Sequence, residues 1–200
     1  MNKKESIIRN PFLDLVVRRQ SVRKFEERPV EREKIITCIE AARLSPSAEN
    51  VQPCRYLVLD DPERKKKFSE QVFSGLYRYT RWAANAPVII AIFAEKDILA
   101  NRLGKQIQGT HYYLIDVGIA GEHLVLQAEE LGLGSCWIGW FHAKNAQKFF
   151  KIPRGWRVVS LLAMGYSKYK KKVSLAGEAG QEKRPKKKIE EILYFNYYKK

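Results

Sequence analysis

Three separated segments carry the side chains best suited to chemistry. The first is Arg18-Arg19-Gln20-Ser21-Val22-Arg23. Arginine offers a planar fork that takes phosphate or carboxylate oxygens in two parallel bonds, and a serine hydroxyl adds a further contact. Arg19, Ser21 and Arg23 are thus a potential anion clamp, with Gln20 between them. The second is Pro46-Ser47-Ala48-Glu49-Asn50-Val51-Gln52-Pro53. Its small side chains let a ligand approach the backbone, while Ser47, Asn50 and Gln52 can donate and accept hydrogen bonds. The third is the cation cluster Arg184-Pro185-Lys186-Lys187-Lys188. Between the last two lies Gly134-Ser135-Cys136-Trp137-Ile138-Gly139, whose Trp137-Ile138-Gly139 portion could turn backbone N–H groups toward the edge of a ring.

Each segment alone has a plainer reading: an exposed basic turn, a polar connection stiffened by prolines, a solvated lysine run, a buried strand. Their order and spacing supply clamps for one phosphate, polar contacts for a ribityl chain and open backbone beside a flat ring. Those are the parts of a site for flavin mononucleotide (FMN). Other chemistries find less support. Gly132-x-Gly134-x-x-x-x-Gly139 misplaces the third glycine of a dinucleotide fingerprint and follows a helix instead of a strand, and Gly104-Lys105 stands without the rest of a P-loop. His111, His123 and His142 lack metal-ligand spacing and read as helix-surface or cap groups. Asp116 has no acid–base partner evident in sequence, and no nucleophile constellation or carboxylate pair is found. The three cysteines, Cys38, Cys54 and Cys136, are scattered. That argues against a disulfide framework or structural zinc and for a reducing cytoplasm.

The net charge of +15 raises the possibility of a nucleic-acid-binding protein. Aromatics interleaved with cations at Leu76–Trp82 and Tyr194–Lys199 suit single strands, but suit a flap over a site and a docking tail equally. Residues 168–188 alone hold nine Lys or Arg and two Glu, so much of the charge sits in one solvated loop. The field still favours phosphorylated small molecules such as FMN or a nicotinamide dinucleotide. The longest apolar run, Ala86–Ala94, has nine residues, too short for a bilayer and suited to a buried strand. No signal peptide is evident, and a soluble protein is expected.

The segments need a scaffold, and local patterns supply one. Asn10 before Pro11 predicts a capped helix to about Arg19. Helical spacing of apolar residues predicts a second over Glu31–Leu44. Strands are expected at Arg55–Leu59, Pro87–Phe93, Ser135–Trp140 and Val158–Gly165, with helices after Asp61-Pro62 and over Ala143–Phe150. A long helix is expected from Thr110 to Leu131. Its stripe Leu114, Gly118, Gly121, Val125, Ala128, Gly132 suggests close approach to another helix, because glycine inside a helix is costly. Ile115, Ile119 and Leu126 form a second stripe, so the helix is central to its domain or lies at a dimer interface. We read residues 1–200 as one α+β domain whose apolar tail, Ile189–Tyr198, must dock somewhere.

The chain resembles the nitroreductase family of FMN-dependent oxidoreductases over nearly its full length. The resemblance rests on R-R-x-S-V-R-x-F at Arg18–Phe25, S-P-S-A-x-N-x-Q-P at Ser45–Pro53, L-G-L-G-S-C-W-I-G at Leu131–Gly139, and the basic tail before Ile189-Glu190-Glu191-Ile192-Leu193. It implies a three-layer sandwich, a mainly antiparallel sheet flanked by helices, in a homodimer with exchanged C-terminal tails and FMN at the interface. Arg19, Gln20, Ser21 and Arg23 would hold the phosphate, ribityl chain and pyrimidine edge, with Ser47 and Asn50 approaching from the partner. Trp137, Ile138 and Gly139 would line one flavin face, Arg184 and Lys186 would complete the phosphate clamp, and Arg81 would place a cation beside the pyrimidine. NADH or NADPH would be the donor and a nitroaromatic, quinone or similar small molecule the acceptor. Reductive dehalogenation or flavin cleavage are the family's alternatives. The sequence departs from the family pattern at Gln20, at Cys54 in place of Trp, at Lys186 in place of Arg and at Lys188 in place of Pro. No catalytic side chain is assigned, since the transfer is the cofactor's chemistry.

Overall fold

The computed structural model describes residues 8–96, 109–169 and 186–198. Its elements run α1 (Pro11–Arg18), α2 (Arg32–Arg43), β1 (Cys54–Leu59), α3 (Pro62–Val72), a 3-10 segment (Gly75–Asn85), β2 (Val88–Glu95), α4 (Tyr112–Glu130), β3 (Gly134–Ile138), α5 (Ala143–Phe149) and β4 (Trp156–Gly165). Local chemistry sets several boundaries. The Asn10 side chain accepts the Leu13 N–H at 2.9 Å and Pro11 opens α1; Asp61 accepts the Arg64 N–H at 2.7 Å and Pro62 opens α3. His142 caps α5 by accepting from the Asn145 N–H at 3.4 Å.

The four strands form one sheet in the order β1-β2-β4-β3, every neighbouring pair antiparallel. Successive side chains on β2 alternate between two apolar layers. Ile89 and Ala91 pack with Phe68, Phe73, Ala146 and Leu161 below α3 and α5, while Val88, Ile90 and Ile92 pack with Cys38, Val117, Leu124 and Leu162 below α2 and α4. Burial on both faces is why this run reads as continuously apolar. The architecture is therefore helix, sheet, helix.

The sheet's β3 edge is partly covered by the first motif. Ser21 forms a parallel bridge to Ser135, and the Val22 N–H donates to the Ser135 carbonyl at 2.9 Å. This approach needs Gly134, because a Cβ there would lie 2.7 Å from a Val22 methyl. The tail, residues 186–198, belongs to a separate unit beyond residue 170. It holds one 3-10 turn, Ile189–Glu191, and the Glu191 carboxylate accepts the Lys188 N–H at 3.1 Å. Its apolar side chains, among them Ile192, Phe195 and Tyr198, are exposed.

One polar cluster fastens α2 to the chain leaving β4. The Tyr166 hydroxyl donates to Glu31 Oε2 at 2.6 Å, Lys34 Nζ donates to the Tyr166 oxygen at 2.7 Å, and the Arg28 guanidinium lies 4.1 Å from the Tyr166 ring centroid. The bond from Tyr166, aided by Glu31's own backbone N–H and by Arg28, lowers the Glu31 carboxyl from 4.5 to about 2. A depressed acid stabilises the fold above its unfolded pKa and ceases to do so as pH falls through its folded value. Urea midpoints followed from pH 4.5 down to about 2 should therefore lose less in Tyr166→Phe than in the parent chain. Equal acid slopes would show that the cluster does not hold the carboxylate.

Candidate functional site

Helix α4 anchors most of the segments singled out above. The first motif leaves α1 at Arg19 in extended backbone. Arg18 Nη2 lies 2.9 Å from Glu130 Oε2, and the half-buried Arg19 reaches Glu122 with Nε 3.9 Å from Oε1, so α4 receives both arginines. Gln20 is half-buried, Ser21 is exposed, and Arg23 is exposed with its guanidinium 5.9 Å from the Trp82 ring centroid. Neither Arg23 nor the exposed Arg81 has an ion-pair partner among the described residues. Trp82 follows Arg81 directly, so the fold carries Arg23 to the 3-10 segment that bears Arg81.

That segment is tied to the chain just past β3. The Thr80 hydroxyl donates to the Trp140 carbonyl at 2.8 Å, and Trp140 Nε1 donates to the Leu76 carbonyl at 3.0 Å. Trp137 is half-buried, while Ile138 is buried and its carbonyl accepts the Ser160 hydroxyl at 3.1 Å. Gly139 is exposed, and the space where its Cβ would be is open for 4 Å. The expected ring-facing stretch thus ends in bare backbone beside a strap of aromatics and cations.

The glycine stripe on α4 has a different cause from the one its spacing suggested. A Cβ on Gly121 would lie 2.1 Å from Trp137 Cη2, so the glycine makes room for an indole from β3, not for a neighbouring helix. Gly118 faces open space. Ile115 of the second stripe is exposed, as are Leu114 of the first and Phe12 and Val16 on α1.

The second motif is also held by α4. Its loop carries three non-glycine residues in the left-handed region, Glu49 (φ 50°), Asn50 (φ 55°) and Gln52 (φ 47°). Such conformations persist only where surroundings enforce them. Here Ser47 Oγ accepts the Gln52 N–H at 3.0 Å, Gln52 Nε2 donates to Asn50 Oδ1 at 3.1 Å, and the Ala48 N–H donates to Asp116 Oδ1 at 3.0 Å. Asp116 is buried, and its other oxygen, Oδ2, has no hydrogen-bond partner among the described residues. Burial raises the Asp116 carboxyl above its ordinary value, opposed by the Ala48 N–H. Sequence offered no sign of this role, because the partner lies 68 residues away.

Glu122 and Asp116 are six residues apart, hence about 9 Å along α4 and about 120° around it. No hydrogen bond or ion pair joins the first motif to the 47–53 loop among the described residues. Glu130, the other anchor of the first motif, lies only about 40° around α4 from Asp116, so the two halves of the expected site attach at separate points along one helix. Lys186 lies in the tail unit, which is described by itself, and Arg184 falls outside the described residues. Two histidines make hydrogen-bond-range contacts with backbone: His142 caps α5, and His123 Nδ1 lies 3.3 Å from the Ala41 carbonyl, while His111 precedes α4 with its ring 5.7 Å from that of Tyr113.

The chain thus places an antiparallel sheet between two helical layers, with Ser21 and Val22 along its β3 edge. Comparison with known proteins identifies the family. The model of the nitroreductase family matches residues 16–166, and the chain belongs to that family. It is 29% identical over 163 residues to a putative NADH dehydrogenase/NAD(P)H nitroreductase of Archaeoglobus fulgidus, covering 80% of this chain and 87% of the relative. A nitroreductase family protein from Clostridium difficile 630 superposes with a TM-score of 0.78 at 26% identity, covering 94% of this chain and all of that one (100%). An FMN-dependent nitroreductase from Clostridium difficile R20291 gives 0.70 at 26% identity, covering 93% and 99%.

The contact between Gly121 and Trp137 can be probed directly. Overpacking costs about 1–3 kcal/mol, against the roughly 1 kcal/mol that alanine gains over glycine inside a helix. Gly121→Ala should therefore lower stability by up to about 2 kcal/mol in urea titrations and shift tryptophan emission. A variant about 1 kcal/mol more stable with unchanged emission would contradict the contact.

Proposed function

We propose that this chain is an FMN-dependent oxidoreductase that works as a homodimer, drawing electrons from NADH or NADPH and passing them to a nitroaromatic, quinone or similar small acceptor. The observation that carries the reading is the pairing of Arg23 and Arg81, two exposed cations lacking acidic partners among the described residues, with the Trp82 ring and the bare backbone at Gly139. Cations without counter-ions suit a phosphorylated ligand, and open backbone suits a flat ring. The residues present fit FMN on both counts.

FMN, when bound, would supply the redox chemistry, hydride acceptance from a nicotinamide and electron delivery to an acceptor. The protein's part is binding, orientation and charge. Arg19, Gln20, Ser21 and Arg23 hold the nucleotide, with Arg81 adding positive charge that favours the reduced, more anionic state. Trp137, Ile138 and Gly139 form a wall, and Ser47 and Asn50 approach from the second copy. Arg184 and Lys186 extend the clamp from the tail. Two features support the second copy: the bare apolar faces of α1 and α4, and the exposed aromatic tail. Three free cysteines, Cys38, Cys54 and Cys136, suit a reducing cytoplasm, and no helix among the described residues is long and apolar enough to cross a membrane.

Purified protein should be yellow, and NADH or NADPH oxidation should depend on an added quinone or nitroaromatic. Arg23→Ala should weaken FMN binding about tenfold or more, the cost of one charge-assisted hydrogen bond. Colourless protein that cannot be reconstituted with FMN, together with strongly salt-dependent binding of oligonucleotides, would favour a nucleic-acid-binding protein instead.

A further inference from the structure

The layer of α3 and α5, on the opposite side of the sheet from α2 and α4, carries charge that the flavin chemistry does not use. No Asp or Glu occurs between Glu130 and Glu178, so α5 and its flanks are basic without counter-ions of their own. Lys144 and Lys148 are exposed one turn apart on α5, and the exposed Lys151 follows its last turn. Helix α3 runs antiparallel beside them. The Arg64 guanidinium lies 5.8 Å from the Phe149 ring centroid, and Asn145 Nδ2 donates to the Gln71 carbonyl at 2.9 Å. Arg64 and the exposed Lys67, one turn on, therefore border the same seam. The acids of α3, Glu63 and Glu70, lie about 100° and about 120° around that helix from Arg64. None of the five cations has an ion-pair partner among the described residues.

Two observations separate this face from an ordinary solvated one. Lys148 and Lys151 sit where a helix dipole favours cations, but Lys144 stands in the first turn of α5, where it does not. Lys151 occupies the left-handed position just past the helix (φ 54°), its N–H donating to the Lys148 carbonyl at 3.1 Å. Glycine or asparagine is usual there, so lysine holds its charge in place at a conformational cost.

The kind of anion follows from what the face lacks. No large apolar side chain of α3 or α5 is exposed among the described residues. Protein interfaces centre on aromatic or other apolar anchors and are depleted in lysine. Single-stranded nucleic acid binds through exposed rings on which its bases stack. A fluid array of lipid phosphates and carboxylates needs neither, and each lysine or arginine near it adds a similar increment of attraction. We propose that the α3–α5 face is a reversible docking surface for an anionic lipid bilayer, engaged through Arg64, Lys67, Lys144, Lys148 and Lys151. This docking needs no flavin and no residue of the 18–25 or 46–53 segments.

Sedimentation of the purified full chain with vesicles of equal parts phosphatidylcholine and phosphatidylserine provides the test. At about 0.1 M salt these vesicles should capture the protein, and about 1 M salt should release it as the screening length falls from about 10 Å to about 3 Å. Vesicles of phosphatidylcholine alone should leave it in solution. Lys144→Gln, Lys148→Gln and Lys151→Asn combined should weaken the partition about a hundredfold, at roughly a factor of five per cation. Lys170→Gln, Lys171→Gln and Lys172→Gln remove the same charge from the other basic run and should weaken it by less than about tenfold. Absent binding to the anionic vesicles, equal binding to the neutral ones, or equal losses in the two triple variants would each overturn the proposal. Saturable binding of a duplex oligonucleotide by protein that ignores the vesicles would do so too, and would give the face to nucleic acid. The vesicle comparison needs only the parent chain, so it decides the matter even where a variant fails to fold.

Discussion

The attachment of separate chain segments to helix α4 is the constraint on which the candidate site depends. Glu122 and Glu130 receive the arginines of the first motif, Gly121 admits the Trp137 indole from β3, and Asp116 grips the 47–53 loop at Ala48. These contacts act on different faces of a helix that is itself buried against the sheet through Val117, Leu124, Val125 and Ala128. A rigid core element is a better support for a binding site than any of the loops it holds. The cost falls on α4 itself, which accepts a glycine at position 121 and a buried carboxylate at position 116.

The spacing of those contacts bears on assembly. The first motif reaches α4 at Glu122 and Glu130 and the 47–53 loop reaches it at Asp116, with no hydrogen bond or ion pair joining the two among the described residues. Under the proposed function, a second copy supplies one of them to the shared nucleotide. The bare apolar side chains Phe12, Val16, Leu114 and Ile115 lie on α1 and α4, the same two helices that carry or hold the first motif. A surface of that kind invites a partner, and burying it would exclude water from the nucleotide's surroundings.

Much of the fold was legible because its signals are local. Asn10-Pro11 and Asp61-Pro62 mark helix starts through bonds spanning three residues. The apolar run at Val88–Ala94 marks a strand buried on both faces. The family motifs were legible for the same reason, as short strings of characteristic residue types. What sequence could not reveal was convergence. Asp116 looked like a lone acid on a helix, since its partner Ala48 is remote in the chain. The stripe containing Gly121 was read as a seam between helices, because periodicity tells which face is small without telling what fills the gap. The tail's apolar residues predicted docking without naming the surface that receives them.

The most direct measurement is complementation in a mixed dimer. One tagged chain would carry Arg19→Ala with Arg23→Ala, and a differently tagged chain Ser47→Ala with Asn50→Ala. Each homodimer should be depleted of FMN, whereas the co-purified heterodimer has one fully intact site and should hold about half the parent's flavin. A heterodimer as depleted as either homodimer would place both motifs around a nucleotide within a single protomer and contradict the shared site.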